Sequence, residues 1–333
     1  MKQPEFIKDD FKIITVAPSF GVTFDPYLTR YNKSIENLTT LGIKIKEGEN
    51  VHLNEGFFSS NSPKNRADEF MKAYLSDNDV IFSVGGGETM NEILPFIDFE
   101  LLKRSKPKWF IGYSDNTNLT FTLTTLSDCI SIYGPCITTF YESPLRLSEE
   151  NTFKMLKGEK HFKGYDYYSC EINDEDNPLH RLELTEKKVI TSINYKDSFS
   201  GILLGGCLDC LLNLVGTKFD KVKEFIYNSN DKIIWYLESC DLNLLDIRRG
   251  LFQLINAGWF DNVSGIIFGR ENKSESFYCG AGKEEAYSIL NGLNVPILFD
   301  CDFGHIPPVL PIKNGARCKV SLIDNNIIMD YID

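Results

Sequence analysis

The stretch Lys108-Trp109-Phe110-Ile111-Gly112-Tyr113-Ser114-Asp115-Asn116 joins a hydrophobic run to a helix-like segment through a Gly-X-Ser turn. This pattern predicts a buried strand that leads directly into a helix. A serine on so tight a turn exposes its hydroxyl, as a nucleophile requires. Asn116 replaces the glycine usual two positions after that serine, and the alternative interpretation is a Ser-Asp cap that opens the helix. Ser114 is therefore a candidate nucleophile.

The N-terminal half repeats this strand-to-helix pattern. We predict strands over residues 11–17, 79–84 and 108–112, a helix over 27–41 that stops at Gly42, and a helix that begins at Ser62-Pro63. Repeated units of this kind with doubly buried strands predict an α/β fold with a doubly wound, mostly parallel sheet. Ligands on such sheets bind beyond the carboxyl ends of the strands, where Gly85-Gly86-Gly87 and Ser114 lie.

A second alternation of strands and helices begins near residue 200. Before it, over residues 157–198, charged and aromatic residues replace the periodic pattern, which is typical of a crossover between domains. We therefore predict an N-terminal α/β domain over 1–157, a crossover over 158–198 and a second α/β domain over 199–333. In the second domain we predict strands that end at Leu204 and Glu238 and a strand over 263–268, helices that end at Leu214 and cover 244–257 and 284–293, and a hairpin over 317–332 turning at Asp324-Asn325-Asn326.

Two segments of the second half also end a hydrophobic run in a polar side chain. Glu238 closes the run Lys232-Ile233-Ile234-Trp235-Tyr236-Leu237, and His305, one of four histidines, lies between a glycine and two prolines. Taken singly, the acid is also typical of a strand end and the histidine of a structural loop. Together with Ser114 they supply a nucleophile, a base and the group that orients the base, in a chain order known from serine hydrolases. We expect the active site between the two domains.

Short sequence blocks around these three residues occur in a specific order and spacing. The blocks are Ala17-Pro18-Ser19, Ser83-Val84-Gly85-Gly86-Gly87, Leu94-Pro95-Phe96-Ile97-Asp98, Gly112-Tyr113-Ser114-Asp115, Gly134-Pro135, Gly205-Gly206, Leu237-Glu238, Gly304-His305 and Leu310-Pro311-Ile312. In these blocks the chain resembles, nearly from end to end, the LD-carboxypeptidase and microcin C immunity family of serine peptidases. The resemblance implies a triad of Ser114, Glu238 and His305 and a homodimer. It places an asparagine where this chain has Cys207.

The glycine turn has three interpretations. We expect backbone N–H donors for the tetrahedral oxyanion from Asp115 and from Gly85-Gly86-Gly87, where the spacing favours Gly86 or Gly87. From another functional class, strand, glycine turn and helix could instead cradle a phosphate, as in a kinase-like nucleotide-binding protein. The turn is neither a GxGxxG nor a Walker A sequence. The third interpretation is a purely structural tight turn.

Composition limits the partners and the compartment. The 333 residues include 35 basic and 47 acidic side chains, and the net charge of −12 argues against nucleic acid or an anionic membrane as the main partner. No secretory signal and no run of about 18 apolar residues is evident, so we expect a cytoplasmic protein. Nine cysteines fit a reducing compartment, and the pair Cys207 and Cys210 lacks the rest of a redox or zinc motif. We predict no metal and no cofactor.

The family resemblance leaves two kinds of small substrate open. One is a muropeptide stem that loses a terminal D-amino acid during cytoplasmic wall recycling, and the other is an aminoacyl or peptidyl nucleotide analogue that is cut at its amide. The segment 258–270 is closer to the second type, but that type stacks the base on an aromatic loop, typically with Trp, and the crossover here has only tyrosines. We rank the muropeptide first. Candidate substrate contacts are Tyr165, Tyr167, Tyr168 and Arg270, and other cations near the motifs are Arg66, Lys313 and Arg317.

Overall fold

In a computed structural model, which describes residues 1–171, 176–272 and 282–332, the chain forms two large β-sheets with covering helices. The strands are β1 Lys12–Val16, β2 Lys44–Glu47, β3 Val80–Ser83, β4 Trp109–Gly112, β5 Ser131–Tyr133, β6 His161–Lys163, β7 Tyr167–Tyr168, β8 Glu186–Lys187, β9 Thr191–Ile193, β10 Ser198–Cys207, β11 Ile233–Glu238, β12 Val263–Gly269, β13 Ile297–Cys301, β14 Ile312–Asn314, β15 Arg317–Ile323 and β16 Asn326–Ile332. The α-helices are α1 Tyr27–Thr40, α2 Pro63–Leu75, α3 Phe99–Arg104, α4 Thr117–Ser127, α5 Leu147–Leu156, α6 Leu208–Leu214, α7 Val222–Asn228, α8 Leu244–Asn256 and α9 Lys283–Tyr287. Short 3-10 helices cover Met90–Phe96, Ser114–Asn116, Ile137–Thr139 and Ser288–Leu293. Among the described helices, none has the length and apolar character needed to cross a membrane.

The first sheet has the strand order β14-β5-β4-β3-β1-β2. Strands β1 to β5 pair in parallel, and this confirms the predicted α/β fold with a mostly parallel sheet. β3 and β4 are buried along their whole length, which is why their sequences are continuous hydrophobic runs rather than alternating ones. β14, from the far end of the chain, adds an antiparallel strand to β5.

The second sheet has the strand order β6-β16-β15-β10-β11-β12-β13-β9. β10 to β13 are parallel, and β15 and β16 form the expected hairpin. The hairpin turns at Asp324 and Asn325, with φ of 48° and 61°, while Asn326 already belongs to β16. The two edge strands, β6 and β9, come from the segment we expected to be a crossover. These two strands of the segment 158–198 complete the second sheet at its edges.

Two element boundaries differ from the expectation. β10 continues past Leu204 to Cys207, because a methyl group on Gly205 would lie only 1.8 Å from the carbonyl oxygen of Tyr236 and glycine alone permits this close strand pairing. The helix expected over 284–293 is α9 followed by a 3-10 segment that ends before Asn294, whose φ is 52°.

Helix α4 follows the Gly-X-Ser turn and packs against β5 of the first sheet and β10 of the second. All but one of its residues are buried. Two of its buried threonine hydroxyls, those of Thr122 and Thr125, donate to the carbonyls of Asn118 and Phe121 one turn earlier. These bonds satisfy the polar groups without solvent. Because α4 packs against both sheets, the helix and the turn at its N-terminus have a fixed position between them.

Candidate active site

Ser114, His305 and Glu238 meet at the carboxyl ends of β4 and β11. Ser114 directly follows the Gly-X part of the turn, Glu238 is the last residue of β11, and His305 lies on the loop between β13 and β14. Nε2 of His305 is 3.0 Å from Oγ of Ser114, and Nδ1 of His305 is 2.8 Å from Oε2 of Glu238. The structure thus brings together the three side chains that the sequence predicted. The serine contacts the histidine and the histidine contacts the glutamate, as a nucleophile, its base and the orienting acid require.

The backbone at Ser114 has a φ of 62°, a left-handed conformation that costs free energy in a residue with a side chain. Asn116 supports this turn, since its Nδ2 donates to the carbonyls of Gly85 and Tyr113 at 2.9 Å each. Its side chain also fills the space over Gly112, where a methyl group would lie 2.5 Å from Cγ of Asn116. The cap interpretation of Ser114 is wrong, because its hydroxyl is directed to the histidine and α4 shows no side-chain cap bond.

Tyr133, the last residue of β5, links the nucleophile to the acid. Its hydroxyl donates to Oε1 of Glu238 and accepts a hydrogen bond from the backbone N–H of Ser114 at 3.2 Å. Burial raises the pKa of Tyr133 well above its usual value, so the hydroxyl stays a donor. Sequence reasoning missed this residue. The available signal was its position directly before the Gly134-Pro135 block.

The Glu238 and His305 pair is buried and electrostatically coupled. Burial alone would raise the pKa of Glu238, but the charge of His305 and the hydrogen bonds from His305 and Tyr133 outweigh it, so the pKa of this carboxyl lies below its usual value. Burial alone would lower the pKa of His305, whereas the carboxylate of Glu238 raises it well above its usual value. The carboxylate is therefore placed to stabilise an imidazolium at this position.

The side chain of Asp115 joins three motifs beneath the turn. Its buried carboxylate accepts hydrogen bonds from Oγ of Ser19, from the backbone N–H of Met90 at 2.9 Å and from Nδ2 of Asn118 at 2.9 Å. Burial raises the pKa of Asp115, and these donors offset part of that effect. The carboxylate has a structural role, and only the backbone N–H of Asp115 is a candidate oxyanion donor.

The glycine turn approaches the nucleophile at Gly86. A methyl group there would lie 3.0 Å from both Cβ and Oγ of Ser114, whereas a methyl group on Gly87, whose φ is 137°, would meet Oγ of Ser19 at 2.2 Å. The phosphate-binding interpretation is not favoured, because the turn leads into the 3-10 helix Met90–Phe96, whose first N–H already donates to a protein carboxylate.

Arg270 supports the loop of the triad histidine. It is 4% exposed, and its guanidinium pairs with Asp302 at 2.6 Å and donates to the carbonyls of Ile306 at 2.8 Å and Pro308 at 2.7 Å. The second oxygen of Asp302 binds Nζ of Lys188. The expectation that Arg270 contacts substrate is corrected: its bonds hold the residues on either side of the histidine.

The three tyrosines named as substrate contacts lie in different environments. Tyr165 is 7% exposed and its hydroxyl accepts a hydrogen bond from Asn151 at 2.9 Å, so it belongs to the core and is not available for stacking. Tyr167 is 48% exposed. Tyr168 is half-buried, with the guanidinium of Arg270 5.2 Å from its ring centroid. The three tryptophans are buried.

Two family models match the chain, one in each half. The model of the LD-carboxypeptidase N-terminal domain matches residues 13–134, and the model of the LD-carboxypeptidase C-terminal domain matches residues 200–320. The chain belongs to the LD-carboxypeptidase family. This membership supports a serine peptidase or related hydrolase.

Relatives within the LD-carboxypeptidase family match the chain over most of its length. The microcin C7 self-immunity protein of Escherichia coli is 29% identical over 90% of this chain and 87% of its own. A Bacillus subtilis relative, named as a probable murein peptide carboxypeptidase, is 24% identical over 88% of this chain and 84% of its own. The solved structure of the microcin C7 self-immunity protein in complex with aspartyl sulfamoyl adenosine has a TM-score of 0.85 at 25% identity, covering 100% of this chain and 99% of that one.

In this member of the LD-carboxypeptidase family, Cys207 and Cys210 lie beneath the nucleophile turn. The backbone N–H of Cys207 donates to Oγ1 of Thr117 at 2.9 Å, and Sγ of Cys210 is 3.6 Å from the carbonyl oxygen of Ser114. The hydrogen bond between the two thiols and burial raise the pKa of Cys207. At Cys210 that bond lowers the pKa, but burial and the charges of Asp115, Asp209 and Glu238 together raise it above its usual value. Reactive redox thiols need a lowered pKa, so a redox role is not favoured. Within the described ranges, no group of His, Cys, Asp or Glu is arranged to hold a metal ion.

Proposed function

We propose that this protein is a serine carboxypeptidase that cleaves the L,D amide bond before a terminal D-amino acid of a muropeptide. The observation that carries the proposal is the continuous chain of contacts from Ser114 through His305 to Glu238. Such a chain serves acyl transfer through a covalent intermediate.

In the first half-reaction, Nε2 of His305 takes the hydroxyl proton of Ser114 while Oγ attacks the scissile carbonyl carbon. The new O–C bond gives a tetrahedral intermediate, whose oxyanion we assign to the backbone N–H groups of Asp115 and Gly86. Collapse of this intermediate breaks the C–N bond as His305 returns the proton to the departing amine. Glu238 stabilises the imidazolium in both steps.

In the second half-reaction, water attacks the ester on Ser114 and transfers a proton to His305. The second tetrahedral intermediate breaks its bond to Oγ, which takes the proton back, and the shortened peptide leaves as a carboxylic acid. One amide bond and one water molecule are consumed, and one amine and one carboxylic acid are formed.

The choice of a muropeptide is supported by the surroundings of His305 and by the family. A cavity of about 170 Å³ beside His305 has Arg30 and Arg146 in its wall, which suits a small leaving group that carries a carboxylate. One relative is named for murein peptide cleavage. We further propose a cytoplasmic location, with which the free thiols of the described cysteines agree, and a homodimer, which rests on the family resemblance alone.

A second candidate function is hydrolysis of the amide in an aminoacyl nucleotide analogue. It is favoured by the 29% identity to the microcin C7 self-immunity protein, whose structure was solved with aspartyl sulfamoyl adenosine. Tyr167, which lies in β7 and is 48% exposed, is the residue we assign to base stacking in this case.

Product analysis with two substrates tests these functions. The wild-type protein and Ser114→Ala are incubated separately with a muropeptide tetrapeptide that ends in D-alanine and with aspartyl sulfamoyl adenosine. We expect Ser114-dependent release of D-alanine from the tetrapeptide. Cleavage of the adenosine compound without release of D-alanine would establish the second function in place of the first.

A further inference from the structure

A small cavity with charged walls opens beside the triad histidine. It measures about 170 Å³ and is lined by His305, Tyr113, Arg30, Arg146 and Glu149 among others. Pockets that hold drug-sized ligands measure about 300 to 1,000 Å³, so this cavity suits a smaller group. Arg30 lies on α1, Arg146 and Glu149 lie directly before and within α5, Tyr113 follows β4, and His305 lies on the loop before β14, so only the folded chain assembles the cavity.

The position of the cavity relative to the triad indicates which part of a substrate it receives. The cavity borders His305 and Tyr113, whereas Ser114, Asp115 and Gly86 are not among its lining residues. The histidine delivers the proton to the departing amine, while the serine and the oxyanion donors hold the acyl carbon. A cavity that touches the histidine but not the serine therefore lies on the side of the leaving group.

Arg30 contributes a buried guanidinium to the wall of this cavity. Its side chain is 7% exposed, its Nε donates to the carbonyl oxygen of Pro178 at 2.6 Å, and its guanidinium lies 5.2 Å from the ring centroid of Tyr141. Within the part of the chain that the structure describes, the buried Nη2 of Arg30 has no hydrogen-bond partner. A buried guanidinium with a free N–H is suited to a carboxylate.

Glu149 presents the complementary unsatisfied atom. It is 4% exposed, and its buried Oε2 has no hydrogen-bond partner among the described residues. Burial raises the pKa of Glu149 to about 7. Near neutral pH a large fraction of this carboxyl is therefore protonated and can donate a hydrogen bond.

We propose that this cavity binds the amino acid that the reaction releases, with Arg30 pairing with its α-carboxylate and protonated Glu149 donating a hydrogen bond to the same group. The inference rests on the proposed carboxypeptidase function and deepens it, since it assigns the residues that recognise the terminal residue of the substrate. Two buried side chains that line one small cavity, each with a polar atom that has no partner among the described residues, indicate a ligand that supplies one.

The assignment predicts a pH dependence of product binding. Deprotonation of Glu149 places a second negative charge beside the bound carboxylate, so affinity for the released amino acid falls as the pH rises above about 7. The groups that act on or face Glu149 are Arg146, Glu142, Thr139, Tyr165, Tyr141, Arg30 and His305. Arg146 pairs with Glu142, whereas Nη2 of Arg30 has no partner among the described residues, so we assign the ligand's carboxylate to Arg30.

The first test compares two leaving groups. The value of kcat/KM is measured for a tetrapeptide ending in D-alanine and for the same peptide ending in D-alaninamide. We expect the wild type to prefer the acid by about 10- to 100-fold, as for a hydrogen-bonded ion pair. Arg30→Gln should lose this preference and Arg30→Lys should retain part of it. Arg181→Gln is the matched control, since Arg181 is exposed, pairs with Glu142 and does not line the cavity.

The ratio between the two substrates is insensitive to partial unfolding, because both are measured on the same preparation. A wild-type preference that survives in Arg30→Gln, or that falls equally in Arg181→Gln, would overturn the inference and leave the carboxypeptidase function intact.

The second test does not require turnover. Binding of D-alanine to Ser114→Ala is followed by NMR titration from pH 6 to 8, alone and combined with Glu149→Gln or Arg30→Gln. We expect affinity to fall by up to about tenfold across this range, to become independent of pH with Glu149→Gln, and to be lost with Arg30→Gln. Arg30-dependent binding of D-alanine to a protein that releases none from tetrapeptide would refute the proposed function and retain the subsite. Binding of D-alanine that is unchanged by both Glu149→Gln and Arg30→Gln would refute the subsite.

Discussion

The hydroxyl of Tyr133 donates a hydrogen bond to Oε1 of Glu238 and at the same time accepts one from the backbone N–H of the nucleophile at 3.2 Å. The acid is therefore held on both oxygens, by the tyrosine and by Nδ1 of His305. This single hydroxyl connects β5 of the first sheet with β11 of the second. It thus couples the position of the serine to the position of the group that orients its base.

Replacing Tyr133 by Phe should reduce both stability and turnover. The change leaves an oxygen of a buried carboxylate without its donor, at a cost of about 1 to 3 kcal/mol in the free energy of unfolding. We expect kcat to fall by about 10- to 100-fold, less than on loss of the serine. Urea unfolding and steady-state kinetics measure the two effects. Tyr236→Phe is the matched control, because the buried hydroxyl of Tyr236 has no partner among the described residues and its loss should cost little. Equal effects in the two variants would remove the assigned role of Tyr133.

Replacing Ser114 by Ala should lower turnover by several orders of magnitude and leave the fold intact. Ser114→Gly should be as inactive but more stable than Ser114→Ala by about 1 kcal/mol, because glycine adopts the φ of 62° without strain. His305→Ala should be as damaging as Ser114→Ala, and the double variant no worse than either, since the residues act as a unit. Retention of a tenth of the wild-type kcat by Ser114→Ala would disprove the serine assignment.

Glu238→Gln should change both the height and the position of the pH profile. We expect kcat to fall by about 10⁴-fold, as in other triads when the acid is neutralised. His305 must be neutral to accept a proton, so the rising limb of kcat/KM follows its raised pKa and should move to lower pH in Glu238→Gln. If the rising limb of kcat/KM lies at the same pH in Glu238→Gln as in the wild type, a group other than His305 controls it.

The same pair predicts a pH dependence of stability. The lowered pKa of Glu238 contributes stability that is present above the unfolded-state pKa of Glu and is lost as the pH falls through the folded value. The raised pKa of His305 contributes stability that is present below the unfolded-state pKa of His and is lost as the pH rises through the folded value. The stability advantage of the wild type over Glu238→Gln should therefore shrink at both ends of the pH range, as urea unfolding can measure.

Arg270→Met should reduce stability by about 1 to 3 kcal/mol, because Asp302 keeps Lys188 as a partner but loses the hydrogen bond from Arg270. Since its bonds hold the loop of His305, kcat should fall while KM for the tetrapeptide changes little. The outcome expected for a substrate contact, a raised KM at unchanged kcat, would restore the original interpretation of Arg270.

Tyr167→Ala should leave cleavage of the tetrapeptide unchanged. If the protein also cleaves aspartyl sulfamoyl adenosine, the substitution should weaken kcat/KM for that substrate by about 1 to 3 kcal/mol, the value typical of one base stacked on an aromatic ring. Tyr227→Ala, which removes an even more exposed tyrosine on α7, is the control. An unchanged value for the adenosine compound would remove Tyr167 as a stacking platform.

The sequence alone determined the local features of this protein. Hydrophobic runs, helical periodicity and glycine stops predicted β1, β3, β4, β11, β12, α1 and α8 to within a residue or two, and the Ser62-Pro63 pair predicted the start of α2. The same local reasoning placed Ser114, Glu238 and His305 at the ends of such runs. These features depend on neighbours along the chain, which is why a single sequence contains them.

Only the tertiary structure decided the remaining features, because they depend on pairs of residues far apart in the sequence. Burial of Tyr165, the bonds of Arg270 and the bridging hydroxyl of Tyr133 all arise where separate elements pack together. The pairing of β14 with β5 of the first sheet and the cavity beside His305 also arise from the packing of separate elements. A side chain's role at such a place is set by the atoms that surround it in the fold, and no periodicity in the sequence encodes them.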